Sequence, residues 1–133
     1  ENADGQRIAA DASLAQYSRE LERLALSEEI SALRQALAGY GVSFDSLAKI
    51  SPKQKRSKAL CIAAARQVAT HADMRKAFAQ TAKLPLARLA QALGVSPKTI
   101  AQHRRYIVTL VVILLGDYPC IRAFLPTAGE VNT

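Results

Sequence analysis

The stretch whose reading decides the fold is Pro85-Leu-Ala-Arg-Leu-Ala-Gln-Ala-Leu-Gly94-Val-Ser-Pro97-Lys-Thr-Ile-Ala-Gln-His-Arg-Arg105. Leu86, Leu89, Ala90 and Leu93 recur at helical spacing and make the inner face of a short helix. Gly94 permits a sharp turn, because without a Cβ it takes positive φ freely. Val95 plugs the angle between two helices. Ser96 can accept the first free N–H groups of the next helix, and Pro97 opens that helix where no N–H is needed. Ile100 and Ile107 return to the inner side. Helix, glycine turn and second helix together form the arrangement of domains that read duplex DNA. Short helical hairpins without that role share it.

A helical wheel sorts the faces of the second helix. With Ile100 taken as inward, Ile107, Val111 and Leu114 fall on the buried side. Lys98, Gln102, Arg105 and Thr109 point nearly opposite, flanked by Thr99, Ala101 and Tyr106. Lysine and arginine can meet guanine acceptors or phosphates, and glutamine can pair through two bonds with adenine. Small Ala101 and Thr99 allow close approach and can touch a thymine methyl. Arg104 lies nearer the buried side, suited to a phosphate or to a structural salt bridge. His103 reads as a partly packed side chain. Arg88, on the first helix, is a candidate backbone contact. From Tyr106 to Leu115 the helix is apolar on every side, which requires burial. The spacing predicts one helix from Pro97 to Leu115, about 28 Å long, exposed only in its N-terminal half.

Outward from this core, the remaining periodicities are also helical. Leu14, Tyr17, Leu21 and Leu24 form one apolar stripe that begins near Asp11, after a frayed start at residues 1–10. Ser27 is a candidate N-cap, with Glu28 and Glu29 favoured in the first turn by the helix dipole. Ile30, Leu33 and Leu37 then face inward until Gly39 and Gly41 stop the helix. A short helix starts at Ser43, with Phe44, Leu47 and Ile50 inward. Ser51-Pro52 signals another start, and that helix opens with Lys53, Lys55, Arg56 and Lys58 before turning alanine-rich through Val68. Four cations near a helix N-terminus oppose its dipole, so the cluster reads either as a solvated face or as a phosphate or partner contact. A further helix runs from near Ala72 to Lys83, with Met74 and Phe78 in the core. Gly116 ends the long helix, and Asp117 can cap a last one from Tyr118 to Leu125.

Composition agrees with an all-α chain. Ala and Leu supply 25 and 16 of the 133 residues, while aromatics make up only 5%, which favours helix over sheet. The net charge of +7 is uneven. Residues 1–50 carry five basic and eight acidic side chains, and residues 51–133 carry thirteen and three. A mildly acidic helical arm thus leads into a strongly basic module, which suggests a polyanionic partner. Cys61 and Cys120 stand alone without C-x-x-C spacing and fit a reducing compartment as small core residues. The longest apolar run, Tyr106 to Leu115, is about half of what a membrane span needs. His71 and His103 lie far apart with no ligand-spaced partners, and no phosphate-loop, dinucleotide or nucleophile-elbow pattern occurs. No catalytic site, metal or cofactor is therefore expected.

These readings give an all-α, compact multi-helix domain with a C-terminal helix-turn-helix and a long, half-buried recognition helix. Residues 1–26 would be an N-terminal helical arm or linker from an upstream domain. Residues 27–125 would be the helical DNA-binding domain, and 126–133 a disordered tail. The start at Glu1 rather than Met suggests part of a longer protein.

Five strings then carry a family resemblance: Tyr40-Gly41-Val42-Ser43-Phe44, Lys49-Ile50-Ser51-Pro52-Lys53, Val95-Ser96-Pro97-Lys98-Thr99-Ile100, Arg104-Arg105-Tyr106-Ile107 and Leu115-Gly116-Asp117-Tyr118-Pro119. Jointly they resemble the C-terminal domain of sigma-I-type alternative sigma factors of Gram-positive bacteria, over roughly residues 27–125. The resemblance implies a helical domain that binds the promoter −35 element through its helix-turn-helix, with a separate N-terminal domain for the −10 element. It implies a cytoplasmic location and three partners: promoter DNA, RNA polymerase core, and the cytosolic N-terminal domain of a membrane-anchored anti-sigma factor. It further implies a role in stress or polysaccharide sensing, with no small-molecule substrate. Carried over residue by residue, the DNA role falls on Lys98, Thr99, Gln102, Arg104 and Arg105, and with them Ser96, Pro97, Ala101 and Arg88. Family members often carry a basic and a charged residue where this chain has Pro97 and Ala101, which makes its base code less legible. The competing reading is a helical protein-interaction module that binds an anti-sigma partner and little DNA, using the arm and the apolar edges around Tyr40 and Phe44. A transposase or phage-type helix-turn-helix is the remote alternative.

Overall fold

Residues Tyr106 to Ile113 are all buried, and the rest of the molecule is arranged around them. The computed structural model describes residues 2–125, so the expected tail at 126–133 lies outside the described residues. Within them it has eight helices and no strand: α1 (Asn2–Ala38), α2 (Leu47–Ile50), α3 (Lys55–Thr70), α4 (Ala72–Thr81), α5 (Leu86–Leu93), α6 (Pro97–Gln102), α7 (Arg104–Leu115) and α8 (Pro119–Arg122). No helix among the described residues is long and apolar enough to cross a membrane.

The all-round apolar sequence of α7 makes it the hub. Alanine-rich α3 packs along one side, burying Cys61, Ile62, Ala64, Ala65 and Val68. Its small side chains let the two helices approach closely. The two run parallel, since Cys61 lies beside Tyr106 while Ile62, Ala65 and Ala69 share a groove with Leu110, Leu114 and Leu115. Burial pushes the Cys61 thiol up to about 12, so it is an inert core group. The C-terminal turns of α1 cover another side through fully buried Leu33 and Leu37, and they run antiparallel to α7. Tyr40, just past α1, meets Arg104 at the start of α7, whereas Glu29, over two turns earlier in the chain, meets residues 120 and 121 beyond the end of α7. Met74 and Phe78 of α4 are buried as the spacing predicts.

Several boundaries differ from the sequence reading. Helix α1 starts at Asn2 and is continuous to Ala38, so residues 2–10 are helical and Ser27 stands inside the helix rather than capping a new one. No glycine or proline stands between Gly5 and Gly39, and a serine inside a helix costs only a few tenths of a kcal/mol. The short helix is capped by Ser46, which accepts from the Lys49 N–H at 3.3 Å, while the Ser43 carbonyl is engaged elsewhere. Ser51 closes α2 rather than opening α3. Its extended backbone (φ −71°, ψ 134°) is the conformation a residue before proline favours. Helix α3 accordingly begins after Gln54, with Lys53 outside it.

Asp117 does not cap α8. Glu29 does so from α1, accepting from the N–H of Cys120 at 2.9 Å and of Ile121 at 3.0 Å. These are the second and third residues of a helix that opens on Pro119, the positions an N-cap side chain serves. Partial desolvation pushes the Glu29 carboxyl up. The Cys120 thiol and the two backbone N–H groups outweigh this and hold it below the usual carboxylate range. A depressed carboxyl stabilises the fold above its unfolded pKa and loses that contribution as pH falls through the folded value. Glu29→Gln is therefore expected to lower stability by about 1 kcal/mol at neutral pH. The gap from the parent should shrink below about pH 4.3, as read from thermal melts at each pH. An equal gap at pH 7 and pH 3 would contradict the capping role.

Candidate nucleic-acid interface

Helices α5 and α6 form the helix-turn-helix. Leu89 and Ala90 of α5 and Ile100 of α6 are buried against each other and the core. Gly94 sits in the left-handed region (φ 70°, ψ 32°) and ends α5, and the Val95 N–H returns to the Ala90 carbonyl at 3.0 Å. A Cβ at Gly94 would meet open space, so the requirement there is backbone conformation, which costs other residues about 1–2 kcal/mol. Ser96 caps α6 by accepting from the Thr99 N–H at 3.2 Å, and the two hydroxyls lie 2.9 Å apart. Pro97 takes the first helical position.

The structure leaves Ser96, Pro97, Lys98, Ala101 and Gln102 exposed along α6, with Thr99 half-buried among them. That face offers one ammonium, one carboxamide and small neighbours that let a partner come close.

Beyond Gln102 the wheel fails. The helix breaks at His103 (φ −108°, ψ 19°), so α6 and α7 are two helices rather than one of 28 Å. Thr109 and Tyr106, which the wheel alone places on or beside the outward face, are buried, as the apolar run from Tyr106 to Leu115 requires. Thr109 donates back to the Arg105 carbonyl at 2.7 Å. Arg104 Nη2 donates to the Tyr40 carbonyl at 2.8 Å, a hydrogen bond rather than a salt bridge. Arg105 donates to the Ser43 carbonyl from Nε at 3.0 Å and Nη2 at 2.7 Å. The two arginines thus clamp the α1–α2 loop. Arg88 is held by Asp73 of α4, whose carboxyl it keeps below the usual carboxylate range. Lys98 and Gln102 remain on one surface; the three arginines are each committed to a partner inside the chain.

The sequence reading missed the α1–α2 loop as a neighbour of this surface. Gly41, Val42 and Ser43 face Ala101, Gln102, Arg104 and Arg105 across a groove of about 410 Å³. The one local signal is Gly41, which takes a left-handed φ of 71°. Phe44 is buried, so it offers no apolar edge to a partner, and Tyr40 is stacked on Phe78 with ring centroids 4.6 Å apart. The exposed large apolar side chains are instead Leu14, Tyr17, Leu21 and Leu24 on α1, 49–66% exposed, and Leu115 and Phe124 at the C-terminal end of the described residues.

A glycine-turned helix pair with a capped, solvent-facing second helix defines the chain structurally as a helix-turn-helix protein. Comparison with known proteins narrows this class. No family model matches the chain. The RNA polymerase sigma factor SigI of Bacillus subtilis is 32% identical over 118 residues, covering 89% of this chain and 47% of that protein. SigI7 of Acetivibrio thermocellus is 36% identical over 97 residues, 73% of this chain and 41% of its own length. SigI of Bacillus anthracis is 28% identical over 125 residues, 94% and 52%. The chain belongs to the SigI-type sigma factors, in agreement with the C-terminal-domain resemblance, and spans about half the length of the relatives it matches. These relatives are named as polymerase sigma factors, which are regulatory subunits and not enzymes.

Proposed function

We propose that this chain is the promoter-reading C-terminal domain of an alternative sigma factor and lays α6 in the major groove of the −35 element. The observation that carries this reading is the exposed α6 face, with Lys98 and Gln102 projecting from a helix whose start is fixed by Ser96 and Pro97. Ser96, Pro97, Thr99 and Ala101 set how closely the helix approaches. Arg104 and Arg105 hold the helix end and the neighbouring loop, and Arg88 holds α4 to α5. The RNA polymerase core would supply the rest of the affinity by tethering, as linked sites do, in the cytoplasm.

The test is selection of duplexes from a random pool by the parent chain, followed by titration of the recovered sequence. Each matched two-bond contact is worth about 1–3 kcal/mol of discrimination. Gln102→Ala is therefore expected to flatten preference at one base pair by roughly 5- to 150-fold, with an unchanged melting midpoint. Recovery of no common sequence, or an unaltered preference in Gln102→Ala, would overturn the assignment.

A second reading concerns the membrane-anchored anti-sigma factor. The stripe of Leu14, Tyr17, Leu21 and Leu24 supports it, because an apolar helix face of this size in water favours a protein partner. This reading is compatible with the first. The stripe lies past the α8 end of the molecule, away from α6, so the arm could be held while the reading surface stays clear.

A further inference from the structure

Four cations, Lys53 just before α3 and three in its first turn, have no role in the reading surface described above. Lys53, Lys55 and Arg56 are exposed and Lys58 is half-buried. Among the described residues the ion pairs are Arg23–Glu20, Lys49–Asp45 and Arg88–Asp73, and none involves this cluster. Unpaired cations at a helix N-terminus work against the helix dipole, so the cluster does not serve the stability of α3.

Its position is set by the packing of α3 on α7. On α3 the deepest contact is made by Cys61, Ala64, Ala65 and Val68, and beside it a line through Ile62, Ala65 and Ala69 flanks a groove against α7. Traced back at the same three- and four-residue spacing, that line continues through Lys58 and Lys55. Cys61 lies beside Tyr106 in the first turn of α7. Because α3 and α7 are parallel, the lysines lie about 5–9 Å further along, at 1.5 Å per residue, beyond where α7 begins. At that level the chain has broken at His103 into α6, which packs chiefly on α5. The line therefore changes from apolar to basic where α7 gives way to α6.

We infer that Lys55 and Lys58, flanked by Lys53 and Arg56, form a second phosphate-binding ridge that grips the backbone of the same duplex whose groove receives α6. The occupant is duplex DNA because the ridge lies level with the junction of α6 and α7 and brings four positive charges, none in an ion pair among the described residues, to that end of the molecule. Backbone contacts of this kind fix register and supply affinity without reading sequence. This inference rests on the proposed function, since the ridge flanks a groove that α6 must occupy.

The experiment measures affinity against salt for a labelled duplex recovered by the parent chain. Each neutralised phosphate contributes about 0.9 to the slope of log affinity against log salt. Lys55→Gln/Lys58→Gln is expected to make the slope shallower by about 1.8 while leaving base preference unchanged. Lys55→Arg/Lys58→Arg, which keeps the charge, is expected to retain the parent slope. Arg19→Gln, on the exposed part of α1 beyond the α8 end, removes one charge far from the ridge and is also expected to retain it. If the parent binds and Lys55→Gln/Lys58→Gln keeps the parent slope, the ridge is refuted and the reading by α6 stands. If the parent binds no duplex at low salt, both fall.

Discussion

Phe78→Ala is expected to lower the stability of the fold by about 3–5 kcal/mol, the range for removing a fully buried aromatic ring. Phe78 is wholly buried in α4, and its ring lies within 3° of parallel to Tyr40. The pair therefore supports the α1–α2 loop from below, while Arg104 holds the Tyr40 carbonyl from the side. Removing the ring leaves a cavity and frees Tyr40, and that segment adjoins the groove beside Gln102. A domain with about 5–15 kcal/mol of total stability would lose a large part of it. The thermal midpoint should fall by about 10 °C or more. Phe78→Leu keeps most of the apolar volume and should cost about 1 kcal/mol. Melting curves followed by helical circular dichroism check both. A midpoint for Phe78→Ala within a degree of the parent would contradict the role given to the stack.

How much of this was legible in the sequence depends on the range of the interaction. The α5–α6 turn is local: Gly94, Ser96 and Pro97 each act within four residues, so their types reveal their geometry. The core faces of α3, α4 and α7 follow from periodicity. The break at His103 has no local signal, because neither glycine nor proline marks it. Its surroundings come from afar, as Arg104 and Arg105 reach carbonyls more than sixty residues earlier in the chain. A wheel drawn at a constant angle through that break carries Thr109 outward, when it is in fact buried. Glu29 shows the same limit. It reads as a first-turn residue of its own helix, yet it caps a helix about ninety residues away. The α1 break expected at Ser27 failed for the opposite reason: a weak local preference met a helix with nothing to stop it.

Arg104→Ala/Arg105→Ala is expected to separate holding the reading surface from reading itself. The pair makes three hydrogen bonds to two loop carbonyls. Bonds from charged donors contribute about 1.5–3 kcal/mol each. Arg105 is exposed, and its two bonds share one acceptor, so the double variant should lose about 2–4 kcal/mol. The single variants should not add up to that loss. Both arginines hold one loop, and neighbours in one network couple. Lysine should not restore Arg105, because a single ammonium cannot reproduce the two-pronged fork on Ser43. Duplex binding then distinguishes the roles. A loosened loop weakens binding to all sequences alike and leaves the order of preference intact. Gln102→Ala should do the reverse, changing preference at one base pair without moving the midpoint. If Arg105→Ala instead altered a single base preference at unchanged stability, Arg105 would join Lys98 and Gln102 in contacting the bases, and its hold on Ser43 would be a resting contact released when DNA binds.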